Sequence, residues 1–399
     1  MANLPKRALE GIRVIDCSTV VAAPTCTQIL GDHGADVVKV ESPHGDDGRR
    51  LGVPTDLGVS AHFLGLNRNK RSVGLDLESP EGRKILLKLL EDADIFLENF
   101  KPGTLEKWGI GYEECLKERF PGLIHCHITG FGSNGPLGGL PGYDAIAQGF
   151  AGIMSFNGEQ GGGPLRLSLN AVDTSAGLYA SGAISMALFE RTRSGLGQSI
   201  EVTLLDTSLT MIHPFAANWL HYGQVPKRMG SRHPNAAPYD VYPAADGHVL
   251  VCVANDRHFK RLCELMGRPE IAEDPSFTKN ADRVANMSAL TEAMAGLFAD
   301  KNKMEISLMC LEGGVAVAPI LTVPEALEHP QVAAREMIIE EGEYKAIGIP
   351  VKMSRTPGRM SRLPPKYAEH NREVLSAAGF SDDEINRFIE KGVLREETT

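Results

Sequence analysis

Residues 11–41 read GIRVIDCSTVVAAPTCTQILGDHGADVVKVE, and this stretch decides the fold class. GIRVIDC and ADVVKVE are short apolar runs rich in β-branched residues, so each reads as a buried strand. The segment between them, STVVAAPTCTQILGDHG, has helix length. Pro24 near its start costs nothing, because a first-turn N–H has no intrahelical partner, and Gly34 supplies the stop. Strand, helix, strand in this order predicts a parallel sheet. The intervening loop lacks the G-x-G-x-x-G spacing that cradles a dinucleotide pyrophosphate. Glu41 at the end of the second strand is therefore a weak ribose signal, and nicotinamide or flavin binding is not expected.

The unit repeats along the chain. SVGLDL (72–77), DIFLENF (94–100) and LIHCHITGF (123–131) read as further strands, with a helix opened by Ser79-Pro80 and another over PGTLEKWG. Arg49, Arg50, Arg68, Lys70, Arg71, Lys101 and Lys107 fall in or near the loops after strands. As a set they predict a cationic rim for a polyphosphate ligand, although each alone suits a solvated surface. His125 and His127 alternate with apolar neighbours and read as core. Residues 130–163 are unusually rich in glycine, which predicts a loop or lid with backbone N–H groups open to a ligand.

Residues 166–203 read RLSLNAVDTSAGLYASGAISMALFERTRSGLGQSIEVT. Asp173 stands at the start of a long helical pattern, at a predicted N-cap, and small residues follow it. A carboxylate there accepts backbone N–H bonds and meets the positive end of the helix dipole, which predicts a stable anion at neutral pH. The residues alone leave a cap and a catalytic role both open. Ser175, Ala176, Gly177 and Ala180 to Ala183 leave room for another backbone or a flat ligand.

Beyond residue 203 an apolar helix closes the first domain, and residues 214–240, broken by proline and glycine, read as a crossing linker. A hairpin turning at Asp246-Gly247, several helices and the stretch VAVAPIL predict a small α+β domain. The last segment is a small amphipathic helix with Ile385, Phe388, Ile389 and Val393 on one side. The resulting plan is an α/β chain with a large domain over 1–200, a linker over 201–225, a small domain over 226–325, and a return over 326–399.

Composition bounds the function. The 399 residues are 42% hydrophobic and 23% charged, with a formal net charge of −10, and the isoelectric point is near 5.7. That balance argues against nucleic acid or an anionic membrane as the main partner. No apolar run approaches the roughly 20 residues of a membrane helix, and MANLPKRALEG lacks a signal-peptide core. Seven scattered cysteines without a CxxC pair fit reduced thiols in a cytoplasm. No G-x-S-x-G elbow and no histidine pair at metal-ligand spacing is present, so neither a serine hydrolase nor a metal site is expected.

Several linked segments together resemble the class III CoA-transferase (CaiB/BaiF) family, which includes formyl-CoA transferase-like enzymes. They are GADVVKVESPHGDD, LNRNKRSVGLDLESPEG, LENFKPGTLEKWG, TGFGSNGPLGGLPGYDAIAQ, VDTSAG and SGLGQSIEVTLLD. The resemblance implies a Rossmann-like large domain with a parallel sheet, built from both chain ends, plus a smaller α+β domain. It also implies an interlocked homodimer. By motif position its coenzyme A contacts fall on Val20, Val21, Ala22, Asn67, Arg68, Asn69, Lys70, Asn99, Phe100, Lys101 and Lys107. Leu140, Pro141, Gly142 and Tyr143 complete that set, and the family's catalytic aspartate falls on Asp173. The implied substrates are an acyl-CoA, with succinyl-CoA favoured, and a small carboxylic or dicarboxylic acid, with no metal and no NAD or flavin. His233 is a candidate substrate contact.

Two departures narrow this. Val21 stands where oxalate-specific members carry glutamine, and DVYPAADGHVLVCVANDRHF replaces their four-glycine run, so those members should resemble this chain less and formyl-CoA/oxalate exchange is not expected. Tyr143 stands where the racemase branch carries a histidine base, which weighs against proton exchange on an acyl-CoA. An acyl-CoA racemase or isomerase of the same fold, and a non-catalytic acyl-CoA-binding protein, are the alternatives.

Overall fold

In the computed structural model, residues 6–396 are described. They form two compact units: one comprises the chain up to Ile153, Arg166–Gln224 and the part from Ala334 onward, and the other Met154–Leu165 with Val225–Ala333. The glycine-rich segment is thus divided, its last residues belonging to the second unit.

The first unit is built on a seven-stranded sheet. Six strands run in chain order as β1 (Arg13–Cys17), β2 (Asp36–Glu41), β3 (Lys70–Leu75), β4 (Ile95–Glu98), β5 (Ile124–Thr129) and β6 (Ser199–Thr203). Their spatial order is 3-2-1-4-5-6, all parallel, and Leu394–Arg395 adds an antiparallel edge beside β3. This is the doubly wound order, and its direction reverses between β1 and β4, where such folds open a ligand crevice. β3 begins at Lys70, two residues before the expected start, because Lys70 and Arg71 pair with Val37 and Val38 of β2.

Helix α1 (Ala22–Asp32) follows β1, α2 (Asp144–Phe150) lies in the glycine-rich segment, and α3 (Ala171–Ser194) precedes β6. Gly195 at φ 74° ends α3 in the left-handed region, with Arg191 and Arg193 in the last turn facing the negative end of the dipole. The small residues of α3 have the use their size suggests. A Cβ on Gly177 would sit 2.5 Å from the carbonyl oxygen of Ala22, so α1 is the backbone that approaches. One side of the sheet buries Ile15, Val38, Val73 and Phe96 against Ile85, Leu86 and Leu89, and the returning C-terminal segment adds Val374, Leu375 and Ile385. That return is tied to β3 by polar contacts: Gly74 N–H donates to Asn371 Oδ1 at 2.9 Å, and His370 N–H to the Ser72 carbonyl at 2.9 Å.

Residues 201–225 are not a linker. They hold the end of β6, a helix over Leu204–Met211 capped by Thr203, and a second helix over Phe215–Tyr222. Two of the residues that suggested a break flank the second helix, Pro214 as its N-cap and Gly223 as its C-cap. In the second unit the strands Tyr239–Ala244, Gly247–Cys252 and Val317–Pro319 form an antiparallel sheet packed on helices through Val249, Val251, Phe259, Leu262 and Ile306. Its hairpin turns one residue earlier than expected, at Ala245-Asp246, because Gly247 already pairs with Ala244. Among the described residues no helix is long and apolar enough to cross a membrane.

Gly177→Ala places a methyl group inside a backbone contact, so α1 and α3 must separate. Overpacking of this kind costs about 1–3 kcal/mol. A thermal melt should show a lowered midpoint, whereas Gly182→Ala, with no neighbour within 4 Å of its Cβ, should leave it unchanged or raised.

Candidate active site

The loop after β1 is the first wall of the crevice. Val20 holds φ at 71°, a left-handed conformation that a β-branched residue adopts only under constraint. The constraints are polar and close. Asn99 Oδ1 accepts the Thr19 N–H at 3.1 Å while its Nδ2 donates to the Thr19 carbonyl at 3.0 Å. Asp46 Oδ1 accepts the Val20 N–H at 3.1 Å. Lys39, fully buried, donates to the Ser18 carbonyl at 2.6 Å and pairs with Asp46 at 2.8 Å. Burial alone would raise the Asp46 carboxyl, yet the Lys39 charge and backbone N–H donors hold it below the usual range.

The second wall is Asn99–Pro102, after β4, and the third is Leu140–Tyr143. Gly130 and Gly142 let the third wall lie against the end of β5. A Cβ on Gly130 would fall 2.5 Å from the Gly142 Cα, and one on Gly142 2.6 Å from the Gly130 Cα. These three walls, the start of α1 and Asp173 line one cavity of about 330 Å³. Of the residues expected to touch coenzyme A, it gathers Val20, Val21, Ala22, Asn99, Phe100, Lys101, Leu140, Pro141, Gly142 and Tyr143. It lies at the β1–β4 reversal.

Five expected residues do not line it. Asn67, Arg68, Asn69 and Lys70 are buried and their side chains are spent internally. Arg68 grips Asp32 through two nitrogens at 2.8 and 2.6 Å, and Asn69 accepts the Ser361 N–H at 2.8 Å. Lys70 donates to Asp16, to Asn67 and to the Pro24 carbonyl, at 3.2, 2.9 and 3.2 Å. Lys107 is exposed on the Thr104–Lys107 helix. His233 belongs to the second unit, where its Nδ1 accepts the Asn235 N–H at 3.1 Å.

The cationic rim is corrected in the same way. Arg49 pairs with Glu41, Arg50 with Asp47, and Arg71 with Asp36 and Glu373. Only Lys101 and Lys107 of that set pair with no carboxylate among the described residues. Charge counted along the sequence overstated the free charge, because the carboxylates that neutralise it come from other strands and from the returning C-terminal segment.

Asp173 is also placed differently from expectation. Asn170 is the N-cap of α3, and Asp173 lies within the first turn. The cap comes from another helix: Asp144 Oδ2 accepts the N–H groups of Val172 and Asp173 at 2.9 and 3.1 Å. Its other oxygen accepts from Gln148 Nε2 at 2.5 Å, and Gln148 Oε1 accepts the Leu167 N–H at 2.8 Å. Asp144 and Gln148 were missed in the sequence; their i,i+4 spacing on the DAIAQ helix was the available signal, but nothing local shows that they reach α3. Asp173 is consequently no settled anion. Its own burial, then the neighbouring Asp144 charge, push its carboxyl up to about 7.

Asp173 stands at one part of this cavity, the glycine-faced Leu140–Tyr143 backbone forms one side, and Lys101 is exposed at its edge.

Comparison with known proteins shows the family. The family model for CoA-transferase family III matches residues 9–371. The chain belongs to CoA-transferase family III. It is 39% identical over 390 residues to the succinate–glutarate CoA-transferase of Agrobacterium fabrum, covering 94% of this chain and 97% of that one. It is equally 39% identical, over 352 residues, to the acetyl-CoA:oxalate CoA-transferase of Acetobacter aceti, covering 88% and 90%. A solved CaiB/BaiF family protein from Brucella suis superposes with a TM-score of 0.86 at 37% identity, covering 94% of this chain and all of that one. The chain is thus a CoA-transferase acting on a CoA thioester and a carboxylic acid. The expectation that oxalate-acting relatives should resemble it less does not hold, since whole-chain identity is set by the shared fold and not by a few acid-contacting side chains.

Asp144→Asn removes the like charge beside Asp173, so the acid limb of the rate against pH should move to lower pH. An unmoved limb would show that Asp144 does not tune Asp173. Linkage gives a second expectation. The folded Asp173 binds its proton more tightly than an unfolded aspartate of pKa about 3.9, so stability falls as pH rises from there through about 7. Asp173→Asn removes that loss and should melt higher than the parent at pH 8, but not at pH 3.

Proposed function

We propose that this transferase carries CoA from a donor thioester, favoured as succinyl-CoA, to a small dicarboxylic acid through a thioester on Asp173. The observation that carries the reading is the single cavity that joins Asp173 to the loops after β1 and β4 and to Leu140–Tyr143. The Asp173 carboxylate attacks the donor carbonyl, and CoA thiolate leaves as a mixed anhydride forms. The thiolate attacks the aspartyl carbonyl, releasing the donor acid and giving an aspartyl-CoA thioester. The acceptor carboxylate attacks that carbonyl and frees the thiolate again. The thiolate then attacks the acceptor's carbonyl in the new anhydride, yielding the new acyl-CoA and restoring Asp173.

Each step exchanges a carboxylate for a thiolate, and no proton changes hands. This fits a site whose nucleophile needs no base, only ionisation and a thiolate held close. A carboxyl raised towards neutrality is more basic, and so a better nucleophile, once ionised. Val20 to Ala22, Asn99 to Lys101 and Leu140 to Tyr143 hold the coenzyme in this reading, with Lys107 reaching the phosphate end.

The working form is read as an interlocked homodimer in the cytoplasm. Trp219, Leu220 and Tyr222 are 56, 78 and 77% exposed on one short helix, and Met186 and Phe189 are exposed on α3. Such concentrations of exposed apolar side chains favour a partner surface. Seven unpaired cysteines fit a reducing compartment.

Offering succinyl-CoA with a panel of dicarboxylic acids, and following new acyl-CoA species by mass, should identify the acceptor. Asp173→Ala should lower exchange by roughly a thousandfold or more, the scale on which removal of a covalent nucleophile acts. The parent enzyme with donor alone should show a CoA adduct on the Asp173 peptide. Retained exchange in the variant sinks the mechanism. Deuterium entering the α-position without an acceptor would favour the isomerase instead.

A further inference from the structure

Beside the reaction cavity, and sharing Phe100–Pro102 with it, lies a second cavity of about 300 Å³ into which Glu98, His125 and His127 face. None of these three side chains enters the mechanism above. Glu98 is 1% exposed, so its charge requires close partners. One of its oxygens lies 3.1 Å from His125 Nε2, whose other ring nitrogen is 3.2 Å from Ser199 Oγ. The other oxygen accepts the Phe100 N–H at 2.7 Å. His127 Nε2 stands 3.1 Å from the Phe100 carbonyl. A carbonyl only accepts, so that nitrogen carries a hydrogen whether the ring is neutral or charged. The peptide groups on both sides of Phe100 are therefore held, the N–H by Glu98 and the carbonyl by His127.

The residues flanking Phe100 are the ones that matter for the reaction cavity. Asn99 pins both polar groups of Thr19 and with them the strained Val20, while Lys101 stands exposed at the cavity edge. The connection from β4 to the Thr104–Lys107 helix is only Asn99 to Gly103, and holding the peptide groups on both sides of Phe100 restrains both of its neighbours. We propose that Glu98 and His127 are positioning residues, a clamp on Phe100 that sets Asn99 and Lys101 for binding of the acyl-CoA. This rests on the assignment of the reaction cavity to the CoA thioester.

The test is His127→Ala beside His127→Gln, whose side-chain amide restores a donor, with Asp173→Ala measured in parallel. His127→Ala should raise the KM for acyl-CoA roughly 5- to 15-fold, the range lost with one hydrogen bond. The KM for the acceptor acid and kcat should stay within about twofold, the scale of an interaction not made in the transition state alone. His127→Gln should recover most of the acyl-CoA KM. Amide exchange at Phe100 and Lys101 in the CoA-free protein should quicken in His127→Ala and slow again in His127→Gln. An unchanged acyl-CoA KM, or a rise in both KM values that His127→Gln does not reverse, overturns the clamp. Full turnover in Asp173→Ala would instead overturn the proposed chemistry, and the exchange measurement, which needs no catalysis, still judges the clamp.

Discussion

The buried ammonium of Lys39 is the contact on which the site depends. It lies under the carboxyl ends of the central strands and binds the Ser18 carbonyl and Asp46 at once. A charge withdrawn from water is tolerated only when fully paired, so this contact fixes the Ser18–Val21 turn relative to the loop after β2. Lys70 and Asp16, Arg49 and Glu41, and Arg68 and Asp32 repeat the device nearby. Replacing such pairs by apolar residues is often neutral for stability. The use of the Lys39–Asp46 pair is geometric, since Asp46 also accepts the Val20 N–H and so holds a β-branched residue in a left-handed conformation where the doubly wound sheet opens its crevice.

The same economy shapes the surroundings of Asp173. α3 begins without a side-chain cap of its own, and Asp144 supplies one from a neighbouring helix. That arrangement satisfies two backbone donors and sets a second carboxylate beside Asp173. The capping side chain is thus also a charge that, after burial, raises the Asp173 carboxyl. The small residues that follow Asp173 let α1 approach through Gly177, and the Val20–Ala22 turn lines the same cavity as Asp173.

Much of this was readable in the chain. Apolar runs of strand length alternating with helical segments implied the parallel sheet, and linked motifs implied the family. Other features misled for a physical reason. Arg68 and Lys70 look like ligand cations in sequence, but their carboxylate partners are 36 and 54 positions away. Pro214 and Gly223 suggested a linker, whereas they cap a helix, because the same residues that break helices also begin and end them.

The sequence by itself determined the fold class, the family, and which loops follow which strands, since local periodicity and short motifs carry that information. Only the tertiary structure decided which cations remain free, which carboxylate shares the space of Asp173, and which residues grip the Phe100 peptide. Those outcomes are pair interactions between distant segments, and their strength depends on distance and burial, neither of which is written in the order of the residues.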